Sequence, residues 1–242
     1  MIVGKHLSSR HSRLLADMQK TIDDLADVNA DPHEAVRVDT GVMAWEPSPS
    51  GTVWRKPLYR FGGEFGPVTS LVRYAPGGAF RPHSHPEGEE ILVLDGVFAD
   101  EHGEYPAGTW FLSPDGSSHA PRSEPGCDLF VRLRQYPGRE RAARCLDTDR
   151  MDWAETGVPG VQEKVLYRES GYPEDVCLMQ LANGASLPVP GHGIIEILVL
   201  EGELRGPGGV VAAGTWMRAP AAGAGSWQAA GDCRLYRRIT QS

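Results

Sequence analysis

The chain spells much of itself twice. EILVLDG at 90–96 returns as EILVLEG at 196–202, and PAGTW at 106–110 as AAGTW at 212–216. VWRKPLYR at 53–60 corresponds to VQEKVLYR at 161–168, Met43-Ala44-Trp45 to Met151-Asp152-Trp153, and LFVRL at 129–133 to LYRRI at 235–239. The offset is 108 residues early and 106 later, so two residues are lost between the copies. A repeat of this period restricts the fold to one supersecondary plan built twice. Within each copy the signals are short apolar runs punctuated by turn residues. ILVL followed by Asp-Gly or Glu-Gly reads as a strand ending in a turn dipeptide. Gly 29 and Pro 19 supply the punctuation. No strand–helix alternation, P-loop, GxGxxG or GxSxG is present. The expectation is two β-domains of about a hundred residues each, at 31–137 and 146–242, joined near 137–145.

Ahead of the repeat, residues 9–28 read as a helix. Leu14, Leu15, Met18, Ile22 and Leu25 recur at three- and four-residue spacing and form one apolar face. Residues 1–30 are therefore expected to be an N-terminal helical segment. Its polar face mixes acids with bases, which fits packing against the protein body or a partner subunit better than a membrane surface. The formal net charge is -8, with no basic face for nucleic acid. No run is apolar enough to span a membrane, and the N-terminus lacks a signal-peptide pattern. Cys127, Cys145, Cys177 and Cys233 form neither a CxxC pair nor a disulfide framework, which points to a reducing, cytoplasmic setting. Cys127 and Cys233 hold equivalent positions in the two copies and read as small buried hydrophobes.

The first copy carries chemistry that the second lacks. His83 and His85 are two residues apart, so on an extended segment both imidazoles leave one face. Pro86-Glu87-Gly88 permits a bend that brings Glu89 back to them, and His119 lies 34 residues beyond His85. A close pair joined by one distant ligand requires a closed fold, which a small β-barrel provides. Three imidazoles and a carboxylate suit zinc, iron, manganese, nickel or cobalt, and no cysteine imposes thiolate selectivity. Aligned on Gly96 and Gly202, the four positions become Val189, Gly191, Ile195 and Gly225 in the second copy, and His192 stands one residue off register. One ion per chain follows.

The run from Gly77 through His83, His85 and Glu89 to Gly96 has the spacing of the first cupin motif, and Pro106-Ala107-Gly108 followed by His119 resembles the second. HSHPEGEEILVLDGVFADEHGEYPAGTW with SPDGSSHAPRSEPGCDLFVRLRQ is similar to the ChrR-like group of cupins. The resemblance is strong over 38–136 and weak over 146–240. It implies an all-β chain of two tandem double-stranded β-helix (jelly-roll) barrels. The first would be metal-binding and the second degenerate. It carries metal ligation to His83, His85, Glu89 and His119. The adjacent Glu90 could substitute for Glu89, but the six-residue gap to Gly96 and the Glu196 kept in the second copy favour Glu89 as the ligand and Glu90 as the structural acid.

Two functions are implied by that group. One is a mononuclear Fe(II) enzyme of dioxygenase type acting on a small carbonyl-bearing substrate. The other is a non-enzymatic zinc-binding sensor or regulatory protein related to the anti-sigma factors. The zinc-type anti-sigma pattern needs cysteines that the N-terminal segment lacks, which favours the enzyme. Arg81 shares strand parity with His83 and His85, so it either faces an anionic substrate or sits solvated at the rim. Arg132, Arg134, Arg139, Arg141 and Arg144 read as a solvated strand end. The second barrel would take the place of an identical subunit in a pseudo-dimeric monomer, or the chain would form a homodimer.

Overall fold

The computed structural model describes residues 26–241. Each copy folds around one main sheet, and the seven-strand paths of the two main sheets have the same order. In the first, strands run 144–147, 109–113, 89–99, 127–133, 68–74, 53–60 and 46–47. In the second they run 36–39, 215–220, 194–201, 233–240, 174–181, 161–168 and 154–155. Neighbours along both paths are antiparallel. Among the described residues the helical turns are all short 3-10 turns, and no helix is long and apolar enough to cross a membrane. Most of the helix expected over 9–28 lies outside the described residues. At its C-terminal end Val28 forms a β-bridge with Arg60 instead.

The copies trade their first strands. Val36–Asp39 pairs with Thr215–Pro220 of the second barrel, and Arg144–Asp147 pairs with Thr109–Ser113 of the first. The hinge residues carry matching contacts. Thr40 donates its hydroxyl to the Gly214 carbonyl and accepts the Lys56 ammonium at 2.7 Å. Thr148 donates to Gly108 and accepts Lys164 at 2.8 Å. Both lysines are buried, lying over Trp45 and Trp153 at 4.6 and 4.4 Å.

Alternation along the strands explains why ILVL is apolar throughout. Ile91 and Val93 face the interior of the first barrel, with Val72, Phe98 and Leu129. Leu92 faces the other way, into a cluster shared by both barrels that includes Trp110, Phe130, Leu178, Leu198, Trp216 and Tyr236. Both sheet faces are covered, so neither tolerates polar alternation. The expected turn at Asp95-Gly96 is a bulge in an unbroken strand, Glu89–Ala99, with Leu94 the extra residue. Gly96 is required there. It has φ +72°, and a Cβ would meet the Gly126 carbonyl oxygen at 2.1 Å. Gly202 repeats this against Asp232.

The arginines between the barrels correct the reading of a solvated strand end. Arg132 is fully buried and pairs with Glu196 of the second barrel, while its Nε lies 3.5 Å from Glu90. Arg141 is buried against Glu174 at 2.9 Å. Burial of both sheets against each other leaves these charges no solvent, so each is matched across the interface. Cys127 and Cys233 are buried and unpaired, and burial pushes both thiols up to about 11.

Candidate metal centre

Three histidines meet because a two-stranded ribbon closes one side of the first barrel. His83–His85 runs antiparallel to Ser117–His119, with His83 opposite His119 and His85 opposite Ser117. One nitrogen from each of His83, His85 and His119 falls within 4.8 Å of the others. After His85 the chain turns sharply. Glu87 and Gly88 have φ of 58° and 77°, and the strand resumes at Glu89. Glu89 then projects inward with Ile91 and Val93. Its Oε2 lies 3.4 Å from His85 Nε2 and 3.5 Å from His119 Nε2.

Each outer imidazole is oriented from behind. His83 Nδ1 is 2.8 Å from the Arg81 carbonyl oxygen, so Nδ1 donates and Nε2 keeps its lone pair. His119 Nδ1 lies 3.3 Å from Asp100 Oδ2. A carboxylate behind a ligating histidine fixes the tautomer and raises the basicity of the opposite nitrogen. Asp100 is itself held by the His102 and Gly103 amides and the Tyr105 hydroxyl, all on Oδ1.

The donor set fits a cation. His85 Nε2 and Glu89 Oε2 are buried with no hydrogen-bond partner among the described residues, an expensive arrangement for two polar atoms pointing at one space. Burial, reinforced by the Asp100 charge, pushes the Glu89 carboxyl up to about 8. Burial, then the neighbouring His119, His83 and Arg134, pushes His85 down to about 3. Burial also lowers His119, against the pull of Asp100. Neutral imidazoles are ready ligands, and a divalent ion is the partner that would reverse the penalty on Glu89.

The cluster sits in a cavity of about 860 Å³. Val72, Tyr74, Ile91, Phe98, Leu129 and Val131 are among the residues that line it. His83 is exposed at the cavity, whereas His85, Glu89 and His119 are buried. Arg81 also lines the cavity. Glu90 points away, accepting Trp110 Nε1 at 2.7 Å and the Tyr236 hydroxyl at 2.8 Å. Adjacent acids thus serve opposite faces of one strand.

The second barrel has no such ribbon. Among the described residues 189–191 form no strand, 221–223 are a 3-10 turn, and the one candidate ligand cluster is that of the first barrel. Val189, Ile195, Leu187 and Trp227 pack in its interior instead. His192 is exposed in a bend.

Comparison with known proteins agrees with this architecture. The family described as the ChrR Cupin-like domain matches residues 33–137 and again 141–227. A protein of Nostoc punctiforme PCC 73102, provisionally named a dioxygenase, is 13% identical with a TM-score of 0.69, over 87% of this chain and 84% of its own. The bacterial pirin YhhW of Escherichia coli, solved with nickel(II), is 13% identical with a TM-score of 0.63, over 86% and 99%. A variant of Bacillus subtilis oxalate decarboxylase is 10% identical with a TM-score of 0.58, over 87% and 79%. At such identities the likeness is one of fold. No curated protein matches the chain.

Proposed function

The chain belongs to the ChrR cupin-like family, and on that footing we propose that it is a metal-dependent enzyme of dioxygenase type acting on a small carbonyl-bearing substrate. His83, His85 and His119 would hold the ion, with Glu89 as a fourth ligand. Bound iron(II) would supply a Lewis acid for a carbonyl oxygen and electrons for dioxygen. The chain's own part is positioning. The Arg81 carbonyl and Asp100 fix two imidazoles, the apolar floor excludes water, and a cavity of about 860 Å³ leaves room for a small substrate beside the exposed His83.

The observation that carries this reading is the placement of the cluster: all four donors line a roomy cavity, three of them buried and His83 exposed. A purely structural tetrahedral site would have no need of that space. Elemental analysis of protein purified without added metal, with oxygen uptake on acetylacetone, tests it. About one iron per chain with substrate-dependent uptake is expected. Stoichiometric, non-exchangeable zinc with no uptake on diketones would replace this reading with the zinc-sensor one.

A further inference from the structure

Among the described residues the cavity wall is electrically one-sided. Arg55, Arg60, Arg81 and Arg134 line it, and the one acid among the described lining residues is Glu89, buried at the histidine cluster. The chain as a whole has 32 acids against 24 Lys and Arg, so this wall runs against its composition. Nine other arginines are paired with carboxylates. Arg60, Arg81 and Arg134 have no ion pair with any described acid. Among the described residues Arg60 reaches the Ala26 carbonyl, and Arg134 lies 5.9 Å from the Phe65 ring.

Arg134 is set there by its backbone. Leu129, Val131 and Leu133 point into the cavity from alternate positions of one strand, and alternation would send residue 134 to the opposite face. Arg134 instead adopts φ +58°, with its amide donating to the Gly88 carbonyl at 3.0 Å, and so returns to the cavity. A left-handed arginine is a rare conformation, and the neighbouring turn holds it.

We infer that the cavity takes a small oxo-acid, its carboxylate held by Arg134 and Arg81 and its carbonyl oxygen toward the three histidines; this rests on reading the cluster as a metal centre. Planar guanidinium groups match a carboxylate two bonds at a time, and apolar walls strengthen the pairing by limiting solvent.

Acetoacetate and its methyl ester share the chelating skeleton and differ in the charge, so calorimetry on manganese-loaded, oxygen-free protein separates the inference from the activity. Acetoacetate should bind roughly tenfold tighter than the ester, and Arg134→Gln should remove that preference without weakening the ester. Should Arg134→Gln fail to fold, Arg81→Gln carries the same expectation at smaller amplitude. Equal binding of acid and ester, a preference that survives both substitutions, or inorganic phosphate displacing acetoacetate at lower concentration would each overturn the assignment. The metal-free protein distinguishes the two readings. If the chain retains no metal yet still prefers acetoacetate, the metal-centre reading fails and the anion site stands. If it holds metal and shows no preference, the anion site alone fails.

Discussion

Asp100 Oδ2 stands 3.3 Å behind His119 Nδ1, while Asp100 Oδ1 closes a turn on the His102 and Gly103 amides. One carboxylate therefore shapes a loop and aims a candidate ligand. Asp100→Asn keeps an acceptor for the turn and removes the charge behind the imidazole. Metal affinity should fall about 10- to 100-fold, with little change in the melting temperature of the metal-free protein. Competition against a chromogenic chelator measures the first, and thermal unfolding in EDTA the second. Unchanged affinity would mean that Asp100 serves the turn alone.

Glu89 predicts a pH dependence for the metal-free protein. Its folded value, about 8, is raised above the ordinary carboxylate range by burial and by Asp100. Such a group contributes stability in its neutral form, fully present below the unfolded value and lost as pH rises through the folded one. Between about pH 4.5 and 8 the metal-free protein should therefore lose stability, on the order of a few kcal/mol, from this group. His85, lowered to about 3, acts at the acid side. Its neutral form contributes stability above about pH 6.5, lost as pH falls toward 3. Glu89→Gln should flatten the upper limb, read from urea midpoints across pH in EDTA. Metal binding to the wild type at pH 7 should release close to one proton, visible as buffer-dependent calorimetric heat.

How far these features were legible in the sequence depends on whether periodicity or tertiary contact sets them. His83, His85 and Glu89 lie on one short ribbon-and-turn segment, so parity and a glycine bend were enough to bring them together. The barrels were legible because a repeat fixes the plan twice. Asp100 was not, because an Asp three residues before a glycine reads as a turn, and nothing in the sequence ties it to His119 nineteen positions on. Strand alternation turns Arg134 outward, and only the left-handed backbone returns it. Arg132 and Arg141 looked solvated because their acids, Glu196 and Glu174, lie in the other copy. The strand exchange was hidden for a similar reason: the partners of Val36–Asp39 and Arg144–Asp147 lie in the other copy.

One metal ion per chain is expected because the second barrel lacks the ribbon as well as the ligands. His83→Ala with His85→Ala should reduce bound metal to a trace, by elemental analysis of dialysed protein. The metal-free melting temperature should hold or rise, since the buried His85 Nε2 without a partner is removed. Retention of half or more of the metal would place the ion elsewhere.

The interface charges give a prediction that tests the pseudo-dimer itself. Arg132 sits between Glu90 and Glu196, one acid from each barrel, and all three are buried. Glu90 also accepts Trp110, Tyr136 and Tyr236, whereas among the described residues Glu196 accepts one hydrogen bond besides the arginine's, from Trp216, with the Arg238 charge near it. Removing the cation therefore strands Glu196 more than Glu90. Arg132→Met should cost about 3–5 kcal/mol in chemical denaturation, the usual scale for orphaning a buried charge. Adding Glu196→Leu should recover much of that loss, because two apolar side chains of similar volume suit a cluster that already holds Leu198, Trp216 and Phe130. If the double variant is no more stable than the single one, the lost stability comes from packing around the arginine stem and not from the uncompensated carboxylate.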